Sequence, residues 1–145
     1  DSNTGFIRVF WLLFIIWSAD IGAYITGKVI GGPKFAPNIS PKKTWSGFCG
    51  ALFFSGFAGA TIAYLVNFQS IWALTIMSIS LGAISQYGDL LESWLKRRFD
   101  RKDMSNLIPG HGGLADRVDG LAAAAISLWI YEKVLGNPFL RFLEV

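Results

Sequence analysis

Residues 45–88 read WSGFCGALFFSGFAGATIAYLVNFQSIWALTIMSISLGAISQYG and contain no Asp, Glu, Lys or Arg. One helix needs about 20 predominantly apolar residues to cross the hydrocarbon core of a bilayer, so this stretch is long enough for two crossings. The short polar segment Asn-Phe-Gln-Ser at residues 67–70 suits a turn between them. The stretch therefore predicts a helical hairpin within a membrane, with spans at residues 45–66 and 71–88.

Small side chains recur at every fourth position along the first of these helices, at Ala51, Ser55, Gly59 and Ala63. Helices in bilayers pack closely where small residues let their backbones approach. The stripe therefore favours a helix–helix contact, and it is compatible with a homodimer. The alternative is that these residues face lipid and share no contact.

Composition supports a membrane setting for the whole chain. Of its 145 residues 52% are hydrophobic, and the mean hydropathy of +0.44 exceeds that of a soluble domain of this length. A single Cys49 and a single His111 exclude an intrachain disulfide and a Cys- or His-rich metal site, so oxygen atoms must hold any metal. The cations behind the net charge of +3 lie between apolar segments, which argues against a nucleic acid polymer as partner. The chain starts at Asp1 without the features of a secretory leader, and we expect it to be a piece of a longer protein.

Two further apolar segments flank the hairpin, at residues 6–25 and 121–140. With them, the predicted fold is all-α, a polytopic transmembrane helical bundle of about four spans in one domain over residues 1–145. The connecting segments 26–44 and 89–120 are rich in Lys and Arg, and an even number of crossings separates them. Because Lys and Arg favour the cytoplasmic side, both segments are predicted to be cytoplasmic loops of a multi-pass protein of the cell's inner membrane.

Four carboxylates lie beside the last two predicted spans, where ionisable groups are costly and usually functional. Asp89 and Glu92 are three residues apart and so share one helical face, and Asp116 and Asp119 repeat that spacing. Carboxylates grouped in this way repel one another unless a hard cation joins them, which favours Mg²⁺ bound together with substrate phosphates. The alternative is structural, because negative charge stabilises a helix N-terminus without any metal.

Basic residues and glycines lie between the two acidic pairs. The segment Pro-Gly-His-Gly-Gly at residues 109–113 can turn tightly and expose N–H groups, which with the following helix N-terminus would cradle a phosphate. Within it, His111 is either a proton carrier or phosphate donor, or a structural imidazole held by hydrogen bonds. In the other loop Lys42 and Lys43 suit a triphosphate or a lipid headgroup, although a basic loop on the cytoplasmic side explains them as well.

One continuous block of sequence carries a family resemblance. Residues 93–119, SWLKRRFDRKDMSNLIPGHGGLADRVD, are similar to the signature of the phosphatidate cytidylyltransferase (CDP-diacylglycerol synthase) family: Ser-x-apolar-Lys-Arg, Lys-Asp, Pro-x-His-Gly-Gly and Asp-Arg-apolar-Asp. Three shorter segments resemble that family in the same order, SADIGAY at 18–24, SPKKTW at 40–45 and GDLLES at 88–93. The resemblance covers nearly the whole chain and corresponds to the C-terminal half of such enzymes. One departure is Ser46, where the family commonly has Glu.

The resemblance implies a nucleotidyltransferase reaction of phospholipid biosynthesis, in which CMP passes from CTP to phosphatidic acid to give CDP-diacylglycerol and pyrophosphate. It implies Mg²⁺ as cofactor, with a second, monovalent cation as a further expectation. The lipid phosphate would attack the α-phosphorus of CTP, so no protein nucleophile is needed, and catalysis consists of positioning and of neutralising charge. On this basis we expect the chain to be a C-terminal catalytic membrane domain with its active site facing the cytoplasm.

The residues that match the family's motifs take their expected roles from that match. The expected metal ligands are Asp89 and Asp116, with Asp119 and Glu92 as auxiliary ligands. The cations expected to neutralise phosphates are Lys96, Arg97, Lys102, Arg117, Lys42 and Lys43. The residues expected to shape the nucleotide end are Ser93, His111, Gly112 and Gly113, and His111 is also expected to take part in catalysis. Asp20, in the first span, is expected to orient a cation or to pair with a basic residue.

Two other functions are compatible with the composition. A CTP-dependent polyprenol or dolichol kinase also brings CTP to a membrane lipid, but it releases CDP, whereas a cytidylyltransferase releases pyrophosphate and leaves CMP on the lipid. A non-catalytic membrane scaffold or a small transporter would use Asp20 and the acidic rim without any chemistry on CTP. That hypothesis gives no account of the dense block of motifs at residues 93–119.

Overall fold

The computed structural model describes residues 2–68, 70–98 and 114–134, without the side chains of residues 2–5, 114–120 and 132. This part of the chain is predominantly helical. In chain order its elements are α1 Ser2–Val29, β1 Lys34–Ala36, β2 Ser40–Thr44, α2 Trp45–Leu65, α3 Ile71–Arg98 and α4 Leu114–Val134. The prediction of an all-α bundle is therefore confirmed for its helices, and the small sheet departs from it.

Helix α2 packs against α1 and α3, and α4 packs against α3 and also contacts α1. Their shared apolar core includes Trp11 and Ile15 of α1, Leu74 and Leu81 of α3, and residues of α4. The indole Nε1 of Trp11 donates a hydrogen bond of 3.1 Å to the Ser78 hydroxyl, so the polar end of this buried ring has a partner on the facing helix. With Ala63 of α2, the core joins the four helices of the described part.

The stripe of small residues on α2 is buried, as predicted for a helix–helix contact. A Cβ atom added to Gly59 would lie 2.5 Å from the Cβ of Ser78, a distance that real side chains do not adopt. The backbone of α2 therefore approaches α3 as closely as glycine allows. Because the stripe is covered within the chain, it no longer argues for a second copy, and the homodimer stays a prediction without this support.

Local hydrogen bonds define the start of α2 and the turn between α2 and α3. The Thr44 hydroxyl caps α2 by accepting a hydrogen bond of 3.2 Å from the N–H of Gly47. After α2, Asn67 adopts a positive φ of 51°, and the N–H of Phe68 donates to the carbonyl of Ala63 at 2.8 Å. These contacts reverse the chain at the predicted turn and confirm the antiparallel arrangement of α2 and α3.

The predicted loop over residues 89–120 is partly helical, which corrects its boundaries. Helix α3 continues to Arg98, and α4 starts at Leu114. Two features extend α3 beyond the apolar span: Glu92 and Lys96 form an ion pair one turn apart, and basic residues in its last turn complement the helix dipole. The first charged residue after the apolar stretch therefore does not mark the end of the helix.

The predicted loop over residues 26–44 contains a β-hairpin, which corrects the expectation of an all-α fold. Strands β1 and β2 pair antiparallel, with Lys34 opposite Thr44 and Ala36 opposite Ser40. Pro37 and Pro41 exclude a helix here, because proline lacks the N–H that a helix interior needs. The hairpin leads directly into α2.

Two helices of the described part are long and apolar enough to cross a membrane, Phe6–Val29 and Trp45–Leu65. Residues Leu121–Tyr131 form a shorter apolar helical segment. The outer surfaces of the helices carry large apolar side chains, among them Phe53, which is 68% exposed, and Trp72, which is 79% exposed. A membrane protein is consistent with these surfaces, since lipid can cover apolar groups that water would not.

Candidate functional site

Charged side chains from β2 and α3 meet beside the start of α2. The ammonium Nζ of Lys43 lies 3.2 Å from Oδ2 of Asp89. It also lies 3.3 Å from the backbone carbonyl of Gln86 and 3.4 Å from its side-chain oxygen Oε1. The segments SPKKTW and GDLLES, both singled out in the sequence, thus share a direct contact although more than 40 residues separate them.

Asp20 of α1 joins this group through Gln86. The amide Nε2 of Gln86 donates a hydrogen bond of 3.1 Å to Oδ1 of Asp20. The sequence predicted a cation or a basic residue as partner of Asp20, whereas the described partner is a neutral amide. Gln86 itself was missed; the available signal was a polar residue in an uncharged span, three positions before Asp89 and hence on the same helical face.

One turn further along α3, Glu92 and Lys96 form an ion pair at 2.5 Å, with each side chain only 14% exposed. The structure thus pairs a predicted metal ligand with a predicted phosphate-binding cation. Ser93 lies one helical turn after Asp89 and shares its face. Arg97 is exposed near the end of α3. The helix therefore arranges four of the predicted site residues, together with Asp89, along its last three turns.

Lys42 and Lys43 have different surroundings although they are neighbours on β2. Lys42 is exposed, whereas the side chain of Lys43 is 26% exposed and lies against α3. Successive side chains of a strand point to opposite sides, which separates the two ammonium groups. Lys42 is therefore available to a ligand from solvent, while Lys43 is held by the protein.

An aromatic cluster fixes the β-hairpin beside Lys43. The ring of Phe35 on β1 packs 4.5 Å from the ring of Trp45 and 5.1 Å from the ring of Phe48, both on α2, measured between centroids. Tyr87 of α3 completes the cluster, 5.7 Å from Phe48. Such contacts between rings add to the burial of apolar surface, so they hold the hairpin against the two helices.

Next to this cluster lies a cavity of about 30 Å³, lined in part by Lys43, Thr44 and Gln86. Its volume is sufficient for a water molecule. Apolar side chains, among them Phe48 and Leu90, line the rest of the cavity, so polar and apolar groups share its wall.

Ser46, the departure from the family's pattern, has a structural role in this chain. Its hydroxyl donates a hydrogen bond of 2.5 Å to the carbonyl of Gly31, and its backbone carbonyl accepts one of 3.1 Å from the Thr26 hydroxyl. These contacts tie the end of α1 to the start of α2. A small hydroxyl side chain thus joins two elements at the position where the family commonly has a carboxylate.

Several predicted site residues lie outside the described residues, namely Lys102, His111, Gly112 and Gly113. Asp116, Arg117 and Asp119 fall in the first two turns of α4, and their side chains are outside the described part. Their predicted roles stay predictions.

Among the described side chains, no three or more carboxylates, imidazoles or thiols come together to hold a metal ion. Asp89 offers the hard oxygen ligand that Mg²⁺ prefers, and its side chain is 31% exposed. Glu92 is engaged with Lys96. The carboxylate of Asp89 is thus chemically suited to Mg²⁺, and the magnesium site stays a prediction.

Comparison with known proteins agrees with the motifs. The profile of the cytidylyltransferase family matches residues 1–135. The phosphatidate cytidylyltransferase of Brucella suis biovar 1 is 44% identical over 138 residues, which are 95% of this chain and 51% of that protein. The phosphatidate cytidylyltransferase of Haemophilus influenzae is 41% identical over 132 residues, covering 86% of this chain and 45% of that protein. The phosphatidate cytidylyltransferase of Staphylococcus aureus strain COL is 41% identical over 118 residues, which are 81% of this chain and 45% of that protein.

The chain therefore belongs to the cytidylyltransferase family, which confirms the resemblance found in its motifs. It spans about half the length of the relatives that it matches.

Proposed function

We propose that the protein containing this chain transfers CMP from CTP to phosphatidic acid, giving CDP-diacylglycerol and pyrophosphate. The observation that carries the proposal is the 3.2 Å contact between Lys43 and Asp89, because it joins two separate family motifs in one polar site. Relatives that share 41–44% of their residues with this chain are named for the same reaction. The chemistry of the site agrees with that name.

In this reaction an oxygen of the lipid phosphate attacks the α-phosphorus of CTP, and the bond to the pyrophosphate leaving group breaks. Both reactants are anionic, so the protein must bring them together in line and offset their charge. No side chain has to form a covalent intermediate. A site that combines carboxylates and cations is therefore suited to this reaction.

Carboxylates of α3 and α4 would hold Mg²⁺, which supplies positive charge at the triphosphate. We assign Asp89 and Asp116 as its ligands, with Asp119 and Glu92 as auxiliary ligands. The presence of a second, monovalent cation remains a prediction of the resemblance.

Cations of the chain bind the phosphate oxygens in this proposal. Lys42 and Arg97 are exposed and can reach a phosphate directly. Lys43 and Lys96 are held by Asp89 and Glu92 and keep positive charge close to those carboxylates. The remaining assigned residues are Lys102 and Arg117 at the phosphates, and Ser93, His111, Gly112 and Gly113 at the nucleotide.

We also propose the complete topology expected from the sequence, a multi-pass domain over residues 1–145 with four spans in the inner membrane. Two observations support it: two helices are apolar and long enough to span, and the Lys43–Asp89 contact lies at the opposite end of the α2–α3 hairpin from the Asn67 turn. Because basic residues favour the cytoplasmic side, the active site faces the cytoplasm and the turn lies outside.

Product analysis tests the reaction. Membranes that contain the full-length protein receive phosphatidic acid, Mg²⁺ and CTP that is labelled at either the α- or the γ-phosphorus. We expect the α-label in lipid as CDP-diacylglycerol and the γ-label in pyrophosphate. A polyprenol or dolichol kinase activity would instead place the γ-label in lipid and release CDP. Absence of labelled lipid with both substrates would overturn the proposal in favour of a scaffold or transporter.

A further inference from the structure

We propose that Asp20 and Gln86 are positioning residues that hold the Lys43 ammonium beside Asp89. The role of this arrangement in substrate binding rests on the function proposed above. Its geometry rests on contacts between three elements. Asp20 comes from α1, Lys43 from β2 and Gln86 from α3. Hydrogen bonds link them in a line, from Asp20 to Gln86 and from Gln86 to Lys43.

The chemistry of the groups fixes how Gln86 is oriented. An ionised carboxylate can only accept hydrogen bonds, and an ammonium can only donate them. The NH₂ group of Gln86 must therefore face Asp20, and its oxygen must face Lys43. Asp20 thus determines that the oxygen of the Gln86 amide, and not its nitrogen, faces Lys43. This effect needs no direct contact between Asp20 and Lys43. This gives a carboxylate on a spanning helix a specific task.

The Lys43 ammonium has as many neighbouring acceptors as it has donors. It carries three N–H groups, and the described acceptors are the backbone carbonyl of Gln86, the side-chain oxygen of Gln86 and Oδ2 of Asp89. Gln86 is 5% exposed, so packing holds its amide in place. Lys43 has a flexible four-carbon stem, and these three acceptors define the position of its charge.

This arrangement matters when Asp89 turns to another ligand. If a cation binds Oδ2 of Asp89 in place of Lys43, one N–H of the ammonium becomes available to a phosphate. The two contacts with Gln86 remain and keep the ammonium at the site. Preorganised charge of this kind lowers the cost of binding an anion, because the side chain does not have to be ordered at that moment.

Competitive acetylation reports how strongly the Lys43 ammonium is held, because an amine reacts more slowly when neighbouring groups bind and shield it, and the measurement needs no enzymatic activity. Membranes with the full-length protein are treated with a trace of acetic anhydride, and mass spectrometry gives acetylation of Lys43 relative to Lys42, its exposed neighbour. We expect Gln86→Leu to raise this ratio about three- to tenfold, since it removes the amide that accepts from Lys43. An unchanged ratio in Gln86→Leu would overturn the proposal.

A double-mutant cycle tests whether Asp20 acts through Gln86. Asp20→Ala should raise the ratio in the wild-type background, whereas Asp20→Asn, which keeps an oxygen to accept from Gln86, should stay within about twofold of wild type. In the Gln86→Leu background Asp20→Ala should add nothing. An equal increase in both backgrounds would show that Asp20 does not work through the amide, and would overturn its assigned role.

Kinetics separate this inference from the proposed function. With CTP as variable substrate, Gln86→Leu and Asp20→Ala should raise KM more than they lower kcat, and Ser80→Ala, at the surface of the same helix, should change neither. If wild-type membranes form no CDP-diacylglycerol, the proposed function fails, and the acetylation ratios still decide the positioning of Lys43. If the ratios change while KM stays at the wild-type value, the role in substrate binding is wrong.

Discussion

At the residue scale, small side chains decide how closely the helices approach. The face of α2 that meets α3 offers no space for a side chain at Gly59, because Ser78 already occupies it. On the face towards α1, a Cβ atom at Gly50 would lie 2.8 Å from the carbonyl of Gly22. The position of α3, and with it of Gln86 and Asp89, therefore depends on single atoms at these contacts.

Gly59→Val is expected to destabilise the bundle by about 1–3 kcal/mol, since overpacking of a close contact forces helices apart. Cys49→Val is the matched control, because Cys49 lies on the same helix and is exposed. Thermal unfolding of the purified protein in detergent measures both. Equal melting temperatures for the two variants would contradict the close contact between α2 and α3.

Some site residues can be predicted from the sequence more readily than others. Asp20, Asp89 and Lys43 stand out because charge in or beside an apolar span is costly. Gln86 gives a weaker signal, because its side chain is polar but carries no charge. Its importance arises only from the pairing of α1 with α3, which is a property of the tertiary structure. The contact of Asp20 with an amide rather than a basic residue has the same origin.

At the element scale, the β-hairpin and its junction with α2 present Lys43 to the site. Thr44 is both the last residue of β2 and the N-cap of α2, and it is 7% exposed. The cap fixes the direction in which the strand enters the helix. Since Lys43 precedes Thr44 immediately, the direction of its side chain depends on this junction.

Thr44→Ala should lower the free energy of unfolding by about 0.5–2 kcal/mol, because the N–H of Gly47 loses its acceptor. Thr44→Ser keeps the hydroxyl and should retain most of the stability. Denaturation followed by circular dichroism in detergent compares the two variants with wild type. If Ala and Ser prove equivalent at this position, the hydroxyl is not the cap.

Sequence patterns define some elements better than others. The hairpin of α2 and α3 follows from an uncharged stretch of sufficient length with a polar turn in its middle. The strands could not be predicted in the same way, because SPKKT has no alternation of apolar and polar residues and its pairing partner is only three residues long. The extension of α3 is supported by the Glu92–Lys96 pair. From the sequence, the change from apolar to charged residues at this point is interpreted as the end of the helix.

At the scale of the whole molecule, the proposed topology places both basic connecting segments on one side of the membrane. In a protein whose native cysteines, including Cys49, are replaced by serine, Asn67→Cys and Asn38→Cys provide one exposed thiol at each end of the α2–α3 hairpin. A membrane-impermeant maleimide should label the first variant in intact spheroplasts and the second only after the membrane is opened. Labelling of Asn38→Cys in intact spheroplasts would contradict a cytoplasmic active site.

The rate of CDP-diacylglycerol formation in Asp89→Asn tests the central claim most directly, because Asp89 is the point where the motifs of β2 and α3 meet. The substitution keeps the size of the side chain and removes its charge. With phosphatidic acid, CTP and Mg²⁺ at saturation, we predict a loss of at least about 100-fold relative to wild type. Ser80→Ala, on the same helix, should keep the wild-type rate. An Asp89→Asn protein that accumulates normally in the membrane and retains the wild-type rate would show that this carboxylate is not at the centre of the reaction.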